Sequence, residues 1–70
     1  MAYLVPVVSS SISAIGWDQD GPTLYVKFRS GSQYAYSGVP EDTFRDFLEA
    51  SSKGKFFARF VRDKYPTQRI

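Results

Sequence analysis

The chain contains neither cysteine nor histidine. It can therefore form no disulfide, offers no thiolate nucleophile, and lacks both the commonest general base and the usual zinc ligands. Long hydrophobic runs are missing as well. Pro6 interrupts the apolar opening MAYLVPVV, which is too short to cross a bilayer and has no basic stretch to mark it as a signal peptide. With the lack of cysteine, this gives a cytoplasmic protein without a membrane partner as the expectation. No serine sits in a Gly-x-Ser-x-Gly elbow. Asp18-x-Asp20-Gly21 lacks the other ligands of a calcium loop and is followed at once by Pro22, so it reads as a turn. Glu41, Asp42 and Asp46 crowd a helix start, where the helix dipole accounts for them. No catalytic residue, no metal and no cofactor is expected, and an enzyme is the least favoured reading.

What is present is aromatic. Seventy residues make a single domain, residues 1–70 with a core in 8–66, and a chain this short buries only about 60% of its unfolded surface. Without staples it must rely on packing, and one Trp, five Tyr and six Phe supply the area, roughly 150–250 Å² per ring. The formal charge of +2 is unevenly spread. Residues 51–70 carry Lys53, Lys55, Arg59, Arg62, Lys64 and Arg69 against Asp63 alone, whereas acids outnumber bases before them. Such a run is either a solvated helix face or a footprint for phosphate.

Residues 3–8 are apolar and β-branched but broken by Pro6, which cannot donate to a ladder, so they read as an irregular or edge strand. Residues 12–18 form a strand closed by Gln19-Asp20-Gly21-Pro22, and Asp-Gly between apolar runs is a strong hairpin signal. An Asp20-Gly21 turn sets Trp17 opposite Leu24 and Ile15 opposite Val26. Residues 24–29 then alternate, with Leu24, Val26 and Phe28 on the core side and Tyr25, Lys27 and Arg29 on the other.

The next loop decides where Tyr34 and Tyr36 point. A two-residue loop within Ser30-Gly31-Ser32 puts both on the face of Lys27 and Arg29. A three-residue loop with Gly31 left-handed pairs Val26 with Tyr34 and sends both tyrosines into the core. Two-residue loops are the commonest, so outward tyrosines are the expectation. Gly38-Val39-Pro40 ends the sheet. A helix follows with Pro40 as its first residue and a stripe of Phe44, Phe47, Leu48 and Ser51. Ser51 or Ser52 caps a second helix running to about residue 64, with Phe56, Phe57, Phe60 and Val61 buried and Lys55, Arg59 and Arg62 as a ridge opposite. Residues 67–70 read as a frayed tail. The fold class is α+β: a three-stranded antiparallel meander followed by two α-helices packed on one face, with an N-terminal edge strand.

Binding rather than catalysis follows from this layout. Outward Tyr25, Tyr34 and Tyr36 would stack bases at about 1–3 kcal/mol each. Lys27 and Arg29 would flank them, and Lys53, Lys55, Arg59 and Arg62 would meet phosphates. The segment Ser51-Ser52-Lys53-Gly54-Lys55 is either a phosphate seat or a tight turn between helices. RNA, as tRNA or a single strand, is the expected partner, and the alternative is a protein docking on the tyrosine face or the N-terminal edge strand.

Three groups of residues are also familiar together. They are Ser9-Ser10-x-Ile12-x-x-Ile15-Gly16-Trp17-Asp18; Leu24-x-Val26-x-Phe28-x-x-Gly31-x-x-Tyr34-x-Tyr36-x-Gly38-Val39-Pro40; and Ala50-x-Ser52-Lys53-Gly54-Lys55-Phe56-Phe57 with Arg62-Asp63-Lys64-Tyr65-Pro66. Over residues 8–66 the chain resembles the KTSC domain, named for the C-terminus of some lysyl-tRNA synthetases. Trp17 stands where that family more usually has tyrosine. The resemblance implies a stand-alone domain of this kind with a central Tyr-x-Tyr, matched by Tyr34 and Tyr36, in a family for which RNA binding has been suggested, and it brings no catalytic residues to carry over.

Overall fold

The computed structural model describes residues 3–70, so Met1 and Ala2 of the apolar opening lie outside the described residues. Its first hairpin joins β2 (Ile12–Asp18) to β3 (Thr23–Phe28) in the register that the Asp-Gly pair predicts. Trp17 faces Leu24 and Ile15 faces Val26. The turn is held locally: the Asp18 carboxylate accepts a hydrogen bond from the Asp20 N–H at 2.9 Å, and the Thr23 hydroxyl donates to the Asp20 carbonyl at 3.3 Å. One feature of β2 is not written in its alternation. The register slips between Ile12 and Ala14, and this bulge brings both Ile12 and Ile15, three positions apart, onto the core face, each 0% exposed.

The second hairpin, to β4 (Gln33–Ser37), takes the longer loop. Phe28 N–H donates to the Ser32 carbonyl and Gly31 N–H to the Phe28 carbonyl, both at 2.9 Å, leaving Arg29, Ser30 and Gly31 as the loop. Gly31 has φ +98°, a conformation that an L side chain resists. Val26 therefore faces Tyr34 and Leu24 faces Tyr36, so both tyrosines stand on the core side and the outward placement is corrected. The gain that outweighs the commoner short loop is burial: Tyr36 is 4% exposed and meets Phe57 edge-on at 5.8 Å, and Tyr34 meets Phe28 likewise at 5.8 Å.

The sheet holds the expected meander and N-terminal edge strand and adds a fifth strand, in the order β1 (Val5–Pro6), β2, β3, β4, β5 (Thr67–Arg69), with every neighbour antiparallel. The edge strand β1 (Val5–Pro6) pairs with β2 as expected of a proline-broken edge. The last residues are not frayed. They form β5 (Thr67–Arg69), with Tyr34 facing Arg69 and Tyr36 facing Thr67, after Pro66 has accepted a hydrogen bond from Ser37 N–H at 3.0 Å.

Two helices cover the core face. In α1 (Glu41–Glu49), Pro40 is the extended residue before the helix rather than its first residue, and Glu41 and Asp42 occupy the first turn. Phe47 is fully buried, Phe44 stacks on Trp17 at 6.4 Å, and Leu48 packs at the rim, whereas Ser51 lies beyond the helix and is exposed. Ser52 caps α2 (Lys53–Phe56), its hydroxyl accepting from Lys55 N–H at 3.3 Å. The helix then widens into a π-helical turn, Phe57–Val61, closed by Arg62 N–H on the Phe57 carbonyl at 2.8 Å. It stops short of residue 64, with Asp63 in the left-handed region at φ +63°. The wider turn keeps Phe57 and Val61 inward and rolls Phe60 out to 50% exposure, correcting the expectation that Phe60 is buried.

Candidate nucleic-acid interface

The residues expected to bind separate into three places. Tyr25 and Lys27 remain on the outer face of the sheet, which no described helix covers. Tyr25 has Gly16 on one side and Ala35 on the other, and Lys27 has Ala14 and Gln33. Among the outward strand positions of β2, β3 and β4, the only acid is Asp18, at the far end beside Thr23. Gly16 is glycine for a reason of space. A methyl group there would come 2.6 Å from the Tyr3 carbonyl oxygen, so the N-terminal segment can lie directly across it.

Lys55, Arg59 and Arg62 are exposed on the helical side, the opposite side of the sheet from Tyr25. None of them makes an ion pair with a described residue; among the described cations only Arg45 does, with Glu41 at 3.4 Å. Lys53 is occupied otherwise. Its ammonium donates to the Ala50 carbonyl at 2.5 Å, closing the C-terminal end of α1 where free carbonyls favour a cation.

Arg29 and Tyr34 meet at the third place, the tip of the second hairpin. Ser9 builds it: its hydroxyl accepts from Ser11 and Ile12 N–H groups at 3.3 and 3.2 Å, folding the loop before β2 so that its carbonyl faces the hairpin. Arg29 Nε donates to that carbonyl at 2.6 Å, and Arg29 N–H donates to Ser11 at 2.9 Å. Between loop and hairpin lies an open groove of about 490 Å³. Phe28 and Tyr34 form its aromatic side, Arg29 its cation, and Ser10, Ser11, Ser30 and Ser32 its hydroxyls. From β5, Arg69 reaches the Ser32 hydroxyl at 3.4 Å. Gly54 also borders this region, since a methyl there would lie 3.3 Å from the Ser11 hydroxyl. The groove's serines carry no motif, and Arg69 falls in the stretch that reads as a frayed tail. The one signal for them was the density of serine at both turns.

Tyr36 is structural here. Burial raises its phenol above the ordinary tyrosine value of 10.0, with further upward pushes from Tyr34 and Asp63. A group whose folded pKa exceeds its unfolded one contributes stability that is complete below the unfolded value and lost as pH rises through the folded one. The domain is therefore expected to lose stability progressively above about pH 10, as the unfolded phenol ionises first. Urea midpoints measured between pH 8 and 11 check this, and Tyr36→Phe should flatten that part of the profile.

Comparisons with known proteins agree on one relationship. The family model for the KTSC domain matches residues 8–65. A crystal structure of a KTSC domain protein from Yersinia pestis superposes with a TM-score of 0.96 at 38% identity, covering 100% of this chain and 99% of that one. A protein of Tsukamurella paurometabola is 38% identical over 60 residues, 86% of this chain and 90% of its own length. A lysine–tRNA ligase of Nostoc punctiforme is 34% identical over 61 residues, which are 87% of this chain but 11% of that protein.

Proposed function

Because this chain belongs to the KTSC domain family, we propose that it is a non-enzymatic domain that binds RNA through the outer face of its sheet, the side away from the helices. The observation that carries this reading is the surroundings of Tyr25 and Lys27. A half-buried aromatic ring beside the small Ala35, next to a lysine without a described acidic partner, presents a stacking surface and a phosphate contact together. A stacked base is worth about 1–3 kcal/mol, and the cations of residues 51–70 add a salt-dependent attraction. Homology to a segment of a lysine–tRNA ligase makes tRNA the first RNA to test, with a single-stranded oligonucleotide beside it.

Amide shifts during titration with tRNA and with single-stranded RNA, at two salt concentrations, test the reading. Shifts are expected at Gly16, Tyr25, Lys27 and Ala35, weakening as salt rises. Tyr25→Ala should reduce affinity by about 5- to 150-fold, the equivalent of one stacked base. Because the ring lies outside the core cluster, half-buried on a central strand, stability should fall by only about 1 kcal/mol. An absence of shifts at low salt overturns the proposal. A second reading has its own observation: Tyr3, Val5 and Val8, at 89%, 42% and 94% exposure, line the β1 edge as apolar side chains, which suits a protein partner adding a strand there. Salt-independent shifts confined to residues 3–8 on adding a protein would favour it.

A further inference from the structure

The groove at the hairpin tip is chemically unlike the open sheet face and calls for a different ligand. Every polar side chain in its lining donates or can donate: one guanidinium and five hydroxyls, that of Tyr34 included, with no carboxylate among them. Arg29 is held before any ligand arrives. Its Nε is committed to the Ser9 carbonyl at 2.6 Å and its own N–H to Ser11, so the side chain is fixed at both ends of its stem while the terminal guanidinium nitrogens stay available. A second guanidinium, Arg69, lies outside the lining but donates from β5 to the Ser32 hydroxyl at 3.4 Å. Neither makes an ion pair with a described residue. Two uncompensated guanidinium groups beside hydroxyls match a doubly charged oxyanion with several acceptor oxygens better than a singly charged one. The remaining wall is aromatic, with Phe28 and Tyr34 edge-to-face at 5.8 Å and only partly covered by the helices. The volume falls within the range of small-ligand sites.

We propose that this groove binds a phosphate monoester carried on a planar ring, the phosphate between Arg29 and Arg69 and the ring against Phe28 and Tyr34. Two sources present this chemistry: a free nucleoside monophosphate and the phosphorylated end of an RNA strand. An internal phosphodiester, with one charge, fits less well. The site is separate from the sheet face of the preceding reading and does not depend on it.

Titration of the whole chain with AMP, followed by amide shifts, is the test. AMP is expected to move Ser11, Arg29, Ser30 and Ser32 and to leave Gly16 and Ala35 still, and adenosine should bind about tenfold more weakly or worse. A monoester takes up its second proton near pH 6, so affinity should fall as pH is lowered through that value. Arg29→Lys, which keeps the charge but loses the fork, and Arg69→Ala, which leaves the Ser9 contact intact, should each weaken AMP by about tenfold. A short oligonucleotide with and without a 5′-phosphate separates the sources: tighter binding of the phosphorylated strand than of AMP assigns the RNA end, and the reverse assigns the free nucleotide. Equal binding of AMP and adenosine, pH-independent binding, or no shift at millimolar AMP overturns the proposal. Groove silence with RNA shifts at Tyr25 would remove this site alone. AMP binding without any response to RNA would remove the RNA reading alone.

Discussion

Replacing Tyr36 with alanine is expected to cost about 3–5 kcal/mol of unfolding free energy, the range for emptying an aromatic site in a core. The ring is 4% exposed, packs edge-on against Phe57, and joins Leu24, Val26, Val39, Phe47 and Val61 in one cluster. For a domain of this size each kcal/mol moves the melting temperature by about 4–8 °C, so the midpoint should fall by more than about 12 °C. Urea unfolding followed by the fluorescence of the sole tryptophan measures it. A loss below about 1 kcal/mol would mean that the ring does not occupy the core. The contrast with Tyr25 is the informative part. Two tyrosines on adjacent strands, both once candidates for base stacking, should divide cleanly, one variant losing the fold and the other only the ligand.

Trp17→Ala should have an effect of the same order, about 3–5 kcal/mol, for a different reason. The indole stacks on Phe44 of α1 and its N–H donates to the Val39 carbonyl at 2.8 Å, with Val39 itself 0% exposed. One side chain thus ties β2 to the first helix and to the segment that leads into it. Trp17→Phe separates the two contributions, since it keeps a stacked ring but leaves a shielded carbonyl unpaired, at a cost of about 1–3 kcal/mol. Thermal unfolding by circular dichroism suits this pair because the fluorophore is gone. If Trp17→Phe proves as harmful as Trp17→Ala, the hydrogen bond rather than the stacked ring holds the corner.

The first hairpin could be read from its residues because Asp20-Gly21 and the alternation of residues 24–28 point to the same register. The second could not, because loops of two and three residues are both compatible with Ser30-Gly31-Ser32, and only the gain from burying Tyr36 chooses between them. The bulge that brings Ile12 inward leaves no mark on composition. Thr67-Gln68-Arg69 has no apolar alternation, since it borrows its order from the backbone of β4. The π-helical turn is equally silent, being a response to packing Phe57 and Val61 at once. For the binding residues, the outward side of β3 was legible. The groove was not, because it is assembled from two turns far apart in sequence, with Arg69 reaching Ser32 from a third segment.

The order of the strands has a mechanical consequence. β1 and β5 run parallel to one another at opposite edges, so the described chain enters the sheet at one corner and leaves it at the diagonal one. Tension applied through the two ends must pass through the edges before it reaches β2, β3 and β4. β1 is fastened by two residue pairs, one of them at a proline, and β5 by three. The edges should therefore yield first under load, while the central hairpins with Trp17 and Tyr36 hold. Since Arg69 travels with β5, a pull on the C-terminal end would draw its guanidinium away from Ser32 before it unfolded the domain.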